Sequence, residues 1–524
     1  MPTSLADLPP ELLPEILAPL VSRRDLYNVC LVSRDWRDVG QARLLRHVRL
    51  FGRDLAIARN LFETLASSPR LAALVRKLEI RVFPISLKIQ EQAATERVAI
   101  AMLENCVNCE ELVWTRKGAL TDQVWVAIHR MQKLHTLELN AHTNLSPGSW
   151  SADNLRRLRP LRALSLILPD RNVAQVLGAF FKHQSRTGDT AGGTETPPPG
   201  SLELEEFSVL CRESPVINDS VIRSISPYLA ESRLTSLAFA GCAKLTGEPL
   251  LELLPKLPHL RHLALEACNL DPSFYDQIAD SLSHLQSLKL THPGPRHPAL
   301  PAFFPALEKL LDGLPNLTAF TLYHSGAASD GRREWPVLPV EFLHHFAATS
   351  GPRIRKFEVS GILTSVEGVE ILSNGSPRLR NLVLHLSADF DLDRLTRAFA
   401  PLNELRTIHL LSQRASVTPD AILTLAEQCA PTLRQIGFRN RVWIVKRTYA
   451  SGAADERPKV SLGPYDLPWW PEALLVVRFV ETAAAFGAFR RNKYGAESDI
   501  ETEIEEASSA SSREEPSDTE SEED

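Results

Sequence analysis

The sequence predicts an α/β chain: three short N-terminal helices, then a solenoid with a parallel inner sheet and helices outside, then a disordered acidic tail. Three observations predict it. Leucines crowd the stretch from Leu5 to Trp36 at helical spacing. A motif of the form apolar-x-x-apolar-x-apolar recurs from about residue 75 to residue 438. The last segment, 497–524, carries thirteen Asp or Glu against the single Arg513.

The opening run is LADLPPELLPEILAPLVSRRDLYNVCLVSRDW. Leu12, Leu13, Ile16, Leu17 and Leu20 share one helical face, with Pro9 and Pro10 at the permitted helix start. Pro14 is tolerable within a turn of that start, whereas deeper in a helix it would cost ~3 kcal/mol. Ser22 with Asp25 opens a second helix that offers Leu26, Val29 and Cys30, and a third begins at Ser33. Helices this short expose more leucine than they can bury. Part of the face must therefore meet another protein or the first repeat, the inward alternative being packing against Leu44, Leu45 and Val48.

The repeats follow. Copies starting at Leu234, Leu260 and Leu285 are 26 and 25 residues apart, and those at Ile354, Leu379, Leu405 and Leu433 are 25, 26 and 28 apart. That is the leucine-rich-repeat period of ~20–29 residues. The last two apolar positions of each motif lie two apart and so share one face of a short strand, while the residue between them points to the other face. About fifteen residues at helical spacing return the chain over the sheet. Cys242 and Cys268 end two clean copies where a Cys or Asn satisfies backbone groups at the strand end, so both thiols are read as structural. Residues 1–48 are then the helical unit, 49–441 the solenoid with a disordered insertion at 184–201, 442–494 a loop and capping helix, and 495–524 the disordered tail. Two further insertions, His292–Pro301 and Gly326–Pro339, lengthen later repeats.

The overall charge of −6 divides unevenly, because the tail contributes −12 and leaves about +6 for the body. No Lys/Arg stripe interleaved with aromatics marks a nucleic-acid groove, so nucleic acid is not expected as a partner. The seven cysteines are few, odd in number and mostly within apolar patterns, as in a reducing compartment. Pro9, Pro10, Glu11, Pro14 and Glu15 interrupt any secretory signal. Glu472, Arg478 and Glu481 sit inside the apolar Trp469–Phe489 segment, which is read as a cap rather than a membrane span. Cys106 and Cys109 form a CxxC without a second pair, and no nucleophile, phosphate-loop or metal motif stands in a supporting context. No cofactor, no metal and no catalytic residue is expected. In the tail Ser498, Thr502, Ser511, Ser512, Ser517, Thr519 and Ser521 each precede an acid by three residues, a pattern for acid-directed phosphorylation and regulation.

Leu8, Pro9, Glu11, Leu12, Leu13, Ile16 and Leu17, followed by Asp25, Leu26, Val32, Ser33, Arg34, Trp36 and Arg37, resemble the F-box. With the repeats behind it, the chain resembles F-box/leucine-rich-repeat proteins from Leu5 to Arg441. That resemblance implies a substrate receptor of an SCF-type cullin-RING ubiquitin ligase, a non-catalytic subunit whose F-box docks on a Skp-type adaptor, and through it on cullin and the RING subunit. It implies an adaptor surface drawn from Leu8, Pro9, Leu12, Ile16, Leu17, Leu26, Val29, Cys30 and Val32, with the repeats holding a protein substrate. The alternative is a leucine-rich-repeat scaffold acting outside a ubiquitin ligase. The expected address is cytoplasm, nucleus or both, and no membrane partner is expected.

On the solenoid, the non-apolar strand positions and the residue just after them line the concave face. The candidates there are His262, Glu266, Lys289, Tyr323, Lys356, Glu358, His385, His409 and Arg439, with Glu138 and His324 beside them. Mixed polar, charged and aromatic types suit a protein or peptide. The competing reading is a solvated strand face, which any solenoid must carry.

Overall fold

The computed structural model describes residues 10–20, 23–50, 55–80, 89–116, 118–144, 149–187, 202–293, 298–324, 335–412, 417–439, 441–448 and 458–464. Leu8, Pro9, the Trp469–Phe489 segment and the acidic tail lie outside the described residues.

A 3-10 turn, Pro10–Leu12, leads into α1 (Leu13–Ile16), followed by α2 (Arg23–Val29) and α3 (Arg34–Arg46). Pro14 falls in the first turn of α1, where its missing N–H forfeits no helical bond. The Ser33 hydroxyl accepts from the Trp36 backbone N–H at 3.4 Å and caps α3 where the sequence places a helix start. Then α3 runs directly into strand β1 (His47–Leu50). The boundary read at residue 48 therefore falls inside a strand that the helical unit and the repeats share.

The next strands are β2 (Lys77–Ile80), β3 (Glu111–Trp114), β4 (Thr136–Asn140), β5 (Ala163–Ile167), β6 (Glu206–Asn218) and β7 (Ser236–Lys244). They continue as β8 (His262–Glu266), β9 (Ser287–Thr291), β10 (Ala319–Tyr323), β11 (Lys356–Thr364), β12 (Asn381–Leu386), β13 (Thr407–Ser412) and β14 (Gln435–Phe438). Each pairs in parallel with the strand before it, with helices or 3-10 turns between. The register stacks the central motif leucines into an unbroken core row through Leu78, Leu112, Leu137 and Leu164, and on through Leu382, Ile408 and Ile436. All of these are at most 1% exposed. Each repeat buries its apolar face only against its neighbours, so truncation of any one of them to Ala should cost ~2–5 kcal/mol.

Polar side chains tie one repeat to the next. Asp170 accepts from both the N–H (2.7 Å) and hydroxyl (2.6 Å) of Thr143. Buried Gln184 accepts from the Leu161 N–H at 2.9 Å and donates to the Leu158 carbonyl at 3.0 Å. That bond explains a correction: the segment from 184 begins as the last turns of a helix, Arg171–Thr187, and not as a disordered insertion. Residues 188–201 lie outside the described residues. Gly361, at φ +67°, has no alternative, since a Cβ there would stand 2.0 Å from the His324 carbonyl oxygen.

The array closes differently from the sequence reading. Residues read as loop after Arg441 form a hairpin of β15 (Arg441–Thr448), antiparallel to β14, and β16 (Lys459–Pro464), antiparallel to β15. It pairs the backbone edge that β14 would otherwise expose, and Trp443, Val460 and Leu462 pack half-buried against the hydrophobic core. Arg447 fastens it by donating to the carbonyls of Leu433, Ala426 (3.2 Å) and Ala430 (3.0 Å).

Candidate functional site

Two surfaces carry the predicted residues. On the N-terminal helices, Leu13 and Leu17 are 2% exposed and Leu26 is 6% exposed, so they form the inside of the unit. Val29 and Cys30 are half-buried over Gly40 of α3. Arg43 of α3 donates to the carbonyls of Ala18 and Leu20, which pins the segment following α1. What remains outside is apolar: Leu12 at 45%, Ile16 at 41%, Tyr27 at 57%, Leu31 at 68% and Val32 at 65% exposed. These are five of the eight exposed large apolar side chains among the described residues. Such concentration in so small a unit marks a surface built to be covered.

Of the nine adaptor candidates, Leu12, Ile16 and Val32 are thus presented to solvent. Leu17 and Leu26 are corrections: their burial makes them the core of the unit. Leu8 and Pro9 lie outside the described residues. Sequence reasoning missed Tyr27 and Leu31. The signal was partial, because Tyr27 is one position on from the buried Leu26 and so about 100° around α2, and Leu31 follows the end of that helix.

On the concave face the predicted strand positions are brought together, but most are engaged within the protein. Lys289 Nζ lies 2.7 Å from the nearly buried Glu266 carboxylate and 6.0 Å above the Tyr323 ring. Lys356 Nζ meets Glu358 at 2.9 Å, and the Thr321 hydroxyl donates to the same carboxylate oxygen at 3.1 Å. Burial raises the Tyr323 hydroxyl well above its ordinary pKa, with Glu266 adding to the effect. His409 is 2% exposed, and its Nε2 bonds to the Arg439 carbonyl at 2.8 Å. Trp335 packs edge-on against His385 at 4.7 Å, and burial takes that imidazole down to about 4. His385 and His409 are therefore corrections, because they are packed into the face rather than offered on it. His262 and Arg439 remain exposed. The missed residue here is Trp335, which arrives from an insertion between strands and so leaves no trace in the strand pattern.

Cys106 and Cys109 are both buried, and burial raises each thiol to about 12. Cys242 donates to the Ala240 carbonyl at 3.6 Å, and Cys268 to that of Glu266 at 3.5 Å, the strand-end role read from the motif. Among the described residues no three His, Cys, Asp or Glu converge as metal ligands, and no helix is long and apolar enough to cross a membrane.

Residues 5–50 match the family model described as F-box-like. No curated protein matches the chain. Among solved structures, the yeast Rad7 and Elc1 complex aligns over 80% of this chain and 97% of that one, at 14% identity and a TM-score of 0.34. The TLR13–ssRNA13 complex aligns over 71% of this chain at 14% identity and a TM-score of 0.34, and the match spans about half of that protein (53%). A Bacteroides fragilis protein aligns over 45% of this chain and 65% of its own, at 15% identity and a TM-score of 0.29. The chain thus joins an F-box-like domain to a leucine-rich-repeat solenoid, and the two share β1.

Proposed function

We propose that the protein is the substrate-recognition subunit of an SCF-type cullin-RING ubiquitin ligase. The F-box-like domain docks on a Skp-type adaptor, and cullin and the RING subunit follow through it. The inner face of the repeats holds a protein substrate, and the ubiquitin-transfer chemistry belongs to other subunits. The observation that carries this reading is the exposed set Leu12, Ile16, Tyr27, Leu31 and Val32 within the stretch that matches the F-box-like family. Burying those side chains at ~25 cal/mol per Å² supplies the driving force for docking. Within the repeats, the exposed His262 and Arg439 and the rims of the Glu266–Lys289 and Lys356–Glu358 pairs are the substrate contacts we assign. Seven free cysteines suit the reducing cytoplasm or nucleus, which is the address we propose.

The test is affinity purification of the full chain from cells, probed for a Skp-type adaptor and for cullin. Recovery of both supports the reading. Recovery of adaptor without cullin would make the protein an adaptor-bound scaffold outside a ligase, and recovery of neither would overturn the docking role.

A further inference from the structure

Just before each strand, the chain makes one more backbone rung: the residue after the first motif leucine hydrogen-bonds to its counterpart in the previous repeat. In earlier repeats the side chain at this rung is mixed: Arg46, Arg76, Arg162 and Arg261 are interspersed with Glu110, His135, Glu205, Thr235, Gln286 and Thr318. In the last four parallel repeats it is arginine every time. The Arg380 N–H donates to the Arg355 carbonyl, Arg406 to Arg380 and Arg434 to Arg406, each at 2.8 Å. Two residues upstream stand Arg353 and Arg378. The ladder starts after Thr318 and ends where Val445 of β15 closes onto the Arg434 carbonyl at 2.8 Å.

Parallel strands lie ~4.8 Å apart, so four arginines in register line an edge roughly 14 Å long. Like charges facing one another across neighbouring strands destabilise a sheet, and a merely solvated edge would have no reason to repeat one sign. Glu404 is the one acid in these four segments, and it shows what the edge selects. Arg380 grips its carboxylate through Nε (2.9 Å) and a terminal nitrogen (2.8 Å). Arg380 first, then Arg378 and Arg355, hold that carboxyl below its ordinary pKa. Arg355, Arg378 and Arg434 are exposed.

We propose that this arginine edge of β11–β14 is a binding site for an acidic protein segment, a contiguous run of about five Asp or Glu in extended form, which at ~3.3 Å per residue spans the four rungs. Arginine's planar fork matches carboxylates in a way lysine does not, and all the rung cations are arginine. Nucleic acid fits less well. The segments 351–355, 376–380, 402–406 and 430–434 contain no aromatic side chain on which a base could stack. The site is separate from the concave face and from the F-box-like helices, so it stands whether or not the protein enters a ligase.

The experiment is fluorescence anisotropy of a labelled oligoglutamate of about ten residues with the full-length protein at low ionic strength, where such contacts are least screened. Oligoglutamine of the same length serves as the neutral control. The triple variant Arg378→Gln, Arg406→Gln, Arg434→Gln should bind oligoglutamate at least about tenfold more weakly, while the double variant Arg156→Gln, Arg157→Gln, at two exposed positions of the 3-10 turn Ala152–Arg157, should bind like wild type. Equal affinity of a correctly folded triple variant would overturn the proposal, as would stronger binding of a DNA oligonucleotide of matched charge. Phenylglyoxal modification of the wild type settles the matter if the triple variant misfolds. Oligoglutamate should shield Arg378 and Arg434, and unchanged labelling of both would overturn the site.

Discussion

Gly40 on α3 lies directly beneath Cys30 at the end of α2: a Cβ built on Gly40 would stand 2.8 Å from the Cys30 sulfur and 3.2 Å from a Val29 methyl. The crossing of the two helices is set by a side chain that is missing. Leu31 and Val32 leave the helix immediately after this contact, so the contact fixes where the exposed apolar face points. Gly40→Leu should force the helices apart, at a cost of about 1–3 kcal/mol to the N-terminal unit. Adaptor binding should weaken while the main melting transition of the repeats stays within a few degrees. Loss of the whole transition, or unchanged adaptor binding, would contradict this.

The Glu266–Lys289 pair should be asymmetric to mutation. Lys289→Met leaves a carboxylate that is 6% exposed without its ammonium and should destabilise the protein by about 3 kcal/mol. Adding Glu266→Gln should recover part of that loss. Denaturant titration of the two variants reads the difference, and additive losses would show that the pair is not coupled.

Gly361→Ala introduces a methyl 2.0 Å from a backbone oxygen that cannot swing aside, at a φ of +67° that L-residues avoid. A loss of more than about 2 kcal/mol is expected. Gly463→Ala, whose nearest neighbour is the flexible end of Lys446, should be much milder. Similar melting temperatures for the two variants would argue against the close approach at Gly361.

Stability should fall on mild acidification because three buried imidazoles, those of His292, His385 and His409, are held neutral by burial. Burial, and then the neighbouring His324, takes His292 down to about 3, and burial takes His385 down to about 4. Unfolded, each protonates near ~6.5, so below that pH the unfolded chain binds more protons than the folded one. The stabilising contribution is complete above ~6.5. It declines by about 1.4 kcal/mol per pH unit per histidine as pH falls toward the folded values. Denaturant midpoints between about pH 7 and pH 5 should show that slope, and His385→Gln should reduce it. An unchanged slope in the variant would remove His385 from the explanation.

The repeat architecture was legible because Leu134, Leu234, Leu260 and their counterparts recur with a period that only a stacked strand and helix satisfies. The cap at Ser33 and the strand-end cysteines were legible for the same reason, since each obeys a local rule. The hairpin Arg441–Pro464 was not, because its strands hold Gly463 and Pro464 and owe their pairing to the edge of β14, which the segment's own sequence does not encode. The concave candidates divided on a similar line. Alternation told which way His385 and His409 point, but Trp335 comes from a distant insertion, and the Arg439 carbonyl is turned onto His409 by a positive φ of 53°. On the N-terminal helices, choosing the apolar face needed α3, since Gly40 decides that Val29 and Cys30 turn inward and leaves Tyr27 and Leu31 outside.

The most direct measurement is calorimetric titration of a purified Skp-type adaptor into the full-length protein, wild type beside the Leu31→Asp, Val32→Asp double variant. Both side chains are about two-thirds exposed, so the substitutions leave the fold intact. Wild type should bind with the negative heat-capacity change of apolar burial, and the variant should lose affinity by at least about a hundredfold. Equal binding by the two proteins, or no binding by wild type, would contradict the docking role of this face.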